Sequence, residues 1–397
     1  MVPPASPVCG RTASSEEHMS AVLDRLTDAF NNPLGSDGSA GEEDRSHVVT
    51  SSPTVPIEII HAAGLRPNVI RGRSIRTPLA DAVLEPHIFP NRLRQLVEAA
   101  LAGELSRAAC VVLPRTSDSD YKVFLYLHEL TRRNLMDLRA PVLLFDLLQS
   151  SGPDVHAYDT MRTRELFGTL TSLAEGCATV DDVRSAIART GLARAARRRL
   201  MALRRGVPRV SGAEVLPLIG AFWQLPPEEY ASLANQAADV LASRPPIEAP
   251  RVLLTGAPVD GPALHAAIES QGAIVVAESG PWGSDEADDD VMRGDDPFAA
   301  IAGRYRQSAI GPRTASGGLR RHAEQFREDI DAVVVSLPPD DAAFGWEYPA
   351  LRGWLEQHRL PHVCVSGDPC DLLSDRDRDR LAALVAATRS RVGAHHG

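Results

Sequence analysis

Glu58 and His61 stand three residues apart in the segment Pro56-Ile-Glu-Ile-Ile-His-Ala-Ala-Gly64. Helical spacing places residues three apart on one face. A carboxylate and an imidazole sharing a face can position a carbonyl or move a proton. The plainer reading is that Glu58 favours the helix N-terminus and His61 is a packed polar residue. Hydroxyl groups recur at the ends of apolar runs: Ser51 and Ser52 follow Val48-Val49, and Thr116, Ser117 and Asp118 follow the run 108–113. A hydroxyl there can donate to a carbonyl or a phosphate, although serine is equally at home in an ordinary turn. Thr255 and Gly256 close the run 251–255, and a glycine allows backbone to approach a ligand closely. Trp282, followed by Gly283 and Ser284, is placed to stack on adenine or on an acyl group, or to form subunit-interface surface. Arg313 offers a guanidinium whose fork suits phosphate. On this reading Glu58, His61 and Ser52 are the catalytic candidates. Thr116, Ser117, Gly256, Trp282 and Arg313 are the substrate-binding ones.

Other chemistries are disfavoured. The five cysteines, Cys9, Cys110, Cys177, Cys364 and Cys370, are scattered and form no CxxC pair, so neither a disulfide framework nor a ready metal site is expected. Cys110 falls inside an apolar run and reads as a small buried hydrophobe, and only Cys370 is expected in a loop near the ligand crevice. The formal net charge is −10, which opposes a general nucleic-acid footprint. The basic run Arg194-Ala-Ala-Arg-Arg-Arg-Leu-Met-Ala-Leu-Arg-Arg205 reads as a solvated amphipathic face able to dock an acidic partner, with Leu192, Ala196, Leu200 and Leu203 as its apolar stripe. The acidic stretch 285–290 lacks the glycine and final glutamate of a calcium loop and reads as solvated. No apolar run approaches the roughly 18 residues of a membrane span, and residues 1–15 lack a secretory pattern. The cytoplasm is the expected location.

These side chains need a scaffold. Residues 1–46 read as loosely ordered apart from an amphipathic stretch at 18–30. From residue 47 to 155, short apolar runs (48–49, 68–70, 108–113, 141–147) alternate with helical patterns (57–63, 91–101, 121–133). Continuous apolar strands alternating with helices predict a parallel sheet covered on both faces. Residues 156–246 read as a helical insert, with Ser211 and Glu214 spaced as a capping box. Residues 247–397 repeat the first grammar, with strands at 251–255, 273–277, 332–336 and 362–365. The expected fold is α/β: two doubly wound, Rossmann- or flavodoxin-like lobes with parallel sheets, joined by the helical insert. Ligands in such folds bind outside the carboxyl ends of the strands.

An ordered set of segments resembles the subunits of 2-hydroxyacyl-CoA dehydratases and benzoyl-CoA reductases. It comprises the segment at 56–64, Thr77-Pro-Leu-Ala-Asp81, Pro114-Arg-Thr-Ser-Asp-Ser119, Val210-Ser-Gly-Ala-Glu214 and Leu225-Pro-Pro-Glu-Glu229. In the second lobe it continues with Leu253-Leu-Thr-Gly-Ala-Pro258, Gly283-Ser284, Asp296-Pro297, Arg304-Tyr305, Gly311-Pro-Arg313 and Trp346-Glu-Tyr-Pro349. The resemblance runs from about residue 47 to the end. It implies paired α/β subunits, an acyl-CoA thioester as substrate, a [4Fe–4S] cluster between the lobes and an ATP-driven activator that delivers an electron. The implied reaction is a lyase step, β-elimination of water, or else ring reduction.

The chain departs from the family at the cluster. Where the resemblance places three cysteines, this sequence has Phe89, Ser117 and the stretch Pro338-Pro-Asp-Asp341. Phenylalanine cannot ligate iron, and serine and aspartate are hard oxygen donors that do not replace thiolates. No cofactor is therefore expected in this chain. The expected role is a partner shaping an acyl-CoA pocket beside a homologous cluster-bearing subunit. The alternative is a cluster-free, non-redox protein that binds an acyl thioester or serves as an accessory. A cluster held by unusual ligands such as Asp340 or Asp341 with Cys370 is the remaining option.

Overall fold

The computed structural model describes residues 12–32, 45–148, 150, 152–280, 282–283, 289–307, 317–338, 341, 343–367 and 373–395. The amphipathic stretch near the N-terminus is a helix, α1 (Thr12–Asn31), whose Leu26 and Phe30 are fully buried. This helix packs against the helical core. The first lobe follows as β1 (His47–Thr50), α2 (Ile57–Ala62), β2 (Arg66–Val69), α3 (Pro78–Asp81), α4 (Asn91–Leu101), β3 (Ala108–Pro114), α5 (Asp118–Arg132) and β4 (Val142–Phe145). The helical segment comprises α6 (Pro153–Leu173), α7 (Val180–Ala202), α8 (Gly212–Gly220) and α9 (Pro227–Leu241). The second lobe contains β5 (Arg251–Gly256), α10 (Ala263–Glu269), β6 (Ile274–Glu278), α11 (Pro297–Gln307), α12 (Gly318–Gln325), β7 (Ala332–Ser336), α13 (Phe344–Gln357), β8 (His362–Val365) and α14 (Asp375–His395).

Each lobe has one four-stranded, all-parallel sheet, ordered β2-β1-β3-β4 and β6-β5-β7-β8. The two faces of each strand feed different cores, which explains the unbroken apolar runs. On β3, Cys110 and Val112 face a core with α2, α6 and α11, while Val111 and Leu113 face α4 and α5. On β5, Leu253 joins α12 and α13, while Val252 and Leu254 join α10 and α14. The chain changes winding direction between β1 and β3 and again between β5 and β7. Both switch points open toward the carboxyl ends of the strands, where doubly wound sheets hold ligands.

Two expectations fail, for the same reason. The sequence places α11 with the second lobe, yet its Phe298, Ile301 and Tyr305 pack into the first lobe's core. Phe298 lies 5.5 Å from Phe167 of α6, ring centre to ring centre. Periodicity shows that a helix has an apolar face but not which sheet receives it. The basic run at 194–205 is likewise only partly solvated. Arg198 and Arg199 reach Asp290 and Asp239 near the surface. Arg194, Arg197 and Arg204 are buried, at 0%, 0% and 1% exposure. Leu192, expected in the apolar stripe, is 68% exposed.

The three buried arginines join the parts of the molecule. Arg194 pairs with Glu58 of α2, and the Tyr305 hydroxyl of α11 donates to the same carboxylate at 2.8 Å. Arg197 donates from Nε to Ile219 O at 3.0 Å and from Nη2 to Gly283 O at 2.7 Å. Arg204, just past α7, holds Glu278 at the end of β6 with both nitrogens, and His265 of α10 meets the same carboxylate at 3.1 Å. Burial alone raises the Glu58 carboxyl, but the guanidinium groups of Arg194 and Arg304 outweigh it and hold it below the ordinary glutamate value. Glu278 is depressed in the same way: burial raises it, and Arg204 and His265 lower it further.

Removing one member of such a pair leaves a buried charge without its counterion. Arg194→Met is expected to cost about 3–5 kcal/mol in denaturant unfolding, and Glu58→Gln/Arg194→Met less than the sum of its two single changes. A cost within about 0.5 kcal/mol of wild type for Arg194→Met contradicts this role.

Candidate functional site at the rims of the two sheets

The first switch point is closed by a hydroxyl-rich rim around Asp120, a residue the sequence reading passed over in favour of Asp118. Ser117 caps α5, its Oγ accepting from Asp120 N at 3.1 Å. The Asp120 carboxylate, fully buried, folds back over the cap. It accepts from Ser117 Oγ at 2.5 Å, Thr116 Oγ1 at 3.0 Å and Ser51 Oγ, beyond β1, at 2.9 Å. Arg92, in the first turn of α4, completes the group with an Nη2 contact of 3.2 Å to Asp120 and an Nε donation to Ser51 O at 3.1 Å. One carboxylate thus gathers the ends of β1 and β3 and the start of α4. The Ser-x-x-Asp spacing at 117–120 was the available signal for it.

The second rim meets the first through Asp260. Its carboxylate accepts from Gly72 N at 2.9 Å, beyond β2, and from Trp282 Nε1 at 3.2 Å. Arg71 donates to Asp260 O at 3.2 Å and to Phe30 O, at the end of α1, at 3.1 Å. Burial raises the Asp260 carboxyl above the usual aspartate value, although Arg92 and Arg71 pull it down. Arg92 therefore acts on carboxylates from both lobes.

The expected site residues fall into several places. Thr116 and Ser117 lie on the first rim, and their hydroxyls are spent on Asp120. Ser52 is 9% exposed beside them, and its Oγ shares a hydrogen bond with Thr54 at 3.1 Å. Gly256 has a φ of +109°, and a Cβ there would stand 2.3 Å from Ser336 O. The contact between β5 and β7 therefore requires this glycine by itself. Trp282 is not at a rim: it is 1% exposed, with the Phe30 ring edge-on at 5.6 Å. Its apolar ring completes the helical core, and only its indole nitrogen reaches the lobe joint. Glu58 points into the joint between α2, α7 and α11 rather than toward the crevice, because its charge is matched by Arg194. His61 does not share that environment. It is half-buried beside Arg189 and Glu228, and its Nε2 has no hydrogen-bond partner among the described residues. Burial lowers the His61 imidazole to about 4, against the raising effect of Glu58. Arg313, Ser284, Cys370 and the acidic residues 285–288 lie outside the described residues.

A surface groove lies elsewhere, along the outer edge of β4, lined by Phe124, His128, Arg162 and Glu165 among others. His128 Nε2 donates to Val142 O at 3.2 Å and Arg162 Nη2 to Leu144 O at 3.0 Å. These bonds occupy the strand's outward carbonyls and blunt the edge.

A cluster requires thiolates at three positions, and the residues present do not fit one. Phe89 is 2% exposed, packed edge-on to Tyr126 at 5.9 Å. Ser117 is consumed as a helix cap. Asp341 Oδ1 accepts from Ala343 N at 2.7 Å and Phe344 N at 3.0 Å, at the start of α13. Among the described residues no group of three or more His, Cys, Asp or Glu side chains is arranged to hold a metal ion. Burial pushes the Cys110 thiol up to about 12, making it inert, as expected for a small buried hydrophobe.

Two outcomes follow. The unfolded chain takes up a proton at His61 between its ordinary value of about 6.5 and the folded value of about 4, whereas the folded chain does not. Stability therefore falls as pH drops through that window, by up to about 3 kcal/mol for this one group. His61→Leu is expected to flatten that limb in urea unfolding measured at pH 7, 6, 5 and 4; an unchanged limb contradicts the assignment. Gly256→Ala is expected to lower the melting temperature by several degrees, through clash and the positive φ together. An unshifted melt would mean that β5 and β7 do not approach so closely.

No curated protein matches the chain. A family model does: that of 2-hydroxyglutaryl-CoA dehydratase, D-component, matches residues 53–394. This covers both sheets beyond β1 and the whole helical segment, including the three buried arginines and the carboxylate partners Glu58 and Glu278. The chain belongs to the 2-hydroxyglutaryl-CoA dehydratase D-component family.

Proposed function

We propose that this D-component-type chain works as one half of a 2-hydroxyacyl-CoA dehydratase or benzoyl-CoA-reductase-like complex, shaping an acyl-CoA pocket beside a homologous subunit that bears the cluster. The family match over 53–394, on two sheets whose rims meet at Asp260, carries this reading. The rims supply polar groups suited to a thioester. Ser52 is a hydroxyl beyond β1, Thr116 and Ser117 frame the same rim while donating to Asp120, and Arg73, Arg76 and Arg115 are partly or fully exposed cations around the first rim. A guanidinium binds the phosphates of coenzyme A by charge and by its fork of donors. Asp120 and Arg92 hold these groups in place rather than react. The electron supplied by an ATP-driven activator then enters the partner subunit, and this chain contributes binding, orientation and exclusion of water. The cytoplasm suits such a complex, and no described helix is long and apolar enough to cross a membrane.

The closed network at Asp120 favours a second reading: a non-redox accessory protein that binds an acyl thioester without a catalytic partner. Co-expression with a homologous cluster-bearing subunit, followed by native mass spectrometry and calorimetric titration with an acyl-CoA, separates the two. A one-to-one complex that binds the thioester more tightly than either chain alone is expected. A chain that stays alone and still binds the thioester supports the accessory reading, and one that does neither contradicts both.

A further inference from the structure

We infer that the first rim is a permanent charge lock standing where the family's iron–sulfur cluster is expected, and that this chain assembles no [4Fe–4S] cluster of its own. The inference deepens the proposed division of labour between two subunits but stands on this chain's residues alone. A cluster site needs converging thiolates and room for the inorganic core. Among the described residues the rim offers no thiolate, and a buried carboxylate with its donors stands there instead. Asp120 is fully buried and accepts from three hydroxyls and Arg92, which come from the ends of β1 and β3 and the start of α4. Opening it would strip four donors from one carboxylate and leave the charge unmatched. Phe89, at the entry to α4, is held in the apolar core that also contains Leu93, Leu96 and Val97, so its backbone is tied to the α4 side of the first sheet.

Among the described residues the remaining cysteine sulfur does not converge on the rim. Cys110 lies fully buried in β3, Cys177 is exposed between α6 and α7, and Cys364 is half-buried in β8 of the other sheet. These sit on three separate parts of the fold, and the chain has only two further cysteines, Cys9 and Cys370. The rim therefore presents a fixed ion pair and hydroxyls, which hold their charge without changing oxidation state. An electron has no acceptor there.

The full-length chain, purified alone without oxygen, is incubated with ferrous iron, sulfide and a thiol reductant, then desalted and assayed for iron, acid-labile sulfide and visible absorbance. A cluster-bearing homologue treated in the same way serves as the control that takes up iron. Iron well below one per chain, with no visible band, is expected for wild type and for Ser117→Cys. About four irons and four sulfides per chain, as a [4Fe–4S] cluster requires, would overturn the inference. The lock itself is read by thermal melting. Asp120→Asn is expected to lower the midpoint by about 3 °C or more, and an unchanged midpoint would overturn the lock. Arg92→Gln, at a partly exposed position, gives the same reading if Asp120→Asn does not fold. Neither measurement involves a partner, so failure of the complex and failure of this inference are separable.

Discussion

The molecule is organised around the buried arginines of α7 and the turn that follows it. A guanidinium removed from water is costly unless its charge and donors are matched. Each of the three is met by a group from a different part of the chain: Arg194 by Glu58 of the first lobe, Arg197 by carbonyls at the end of α8 and beyond β6, and Arg204 by Glu278 of the second sheet. Most partners lie far off in sequence, 136 residues for the first pair and 74 for the last. Each pair therefore forms only when its own lobe is docked on the α7 segment. They add little net energy compared with an apolar core of the same shape, but they penalise every arrangement that leaves one unmatched.

This frame determines where the rims lie. With α2 and β6 fixed to the α7 segment, and α11 crossing back onto α6, the carboxyl ends of the two sheets meet at the contact between Gly72 and Asp260. α1 precedes the family match but belongs to the same frame. Its Phe30 rests on Gly220, where a Cβ would stand 2.5 Å from the ring, and its last carbonyls are held by Arg71 and Arg73. What a ligand would meet is thus set by helix packing some distance away, and the rim residues themselves are held by Asp120.

Much of the scaffold was legible in the sequence. Short apolar runs between turn signals mark the strands, and β7, β8 and α4 fall where the pattern puts them. Repetition of one grammar announced two similar sheets, and the ordered motifs pointed to the family. What escaped was pairing. Arginine in a helix reads as solvent-facing by default, and nothing local in 194–205 says that Arg194 will find Glu58. The 3.6-residue period of α11 shows its apolar face but not its host. Glu58 and His61 share a short helix, yet one is bound into an ion-pair joint and the other is neutralised by burial. Asp120 was hidden because a capping spacing looks the same whether it only starts a helix or also closes a site.

Calorimetric unfolding of the full chain tests most directly whether the buried arginines make the two lobes one cooperative body. A single transition is expected, with the calorimetric and van't Hoff enthalpies equal, because neither lobe can unfold without stranding a buried arginine in the α7 segment that the other lobe shares. Two resolved transitions, one for each sheet, would contradict it and would mean that the α7 joints only touch the lobes without coupling them.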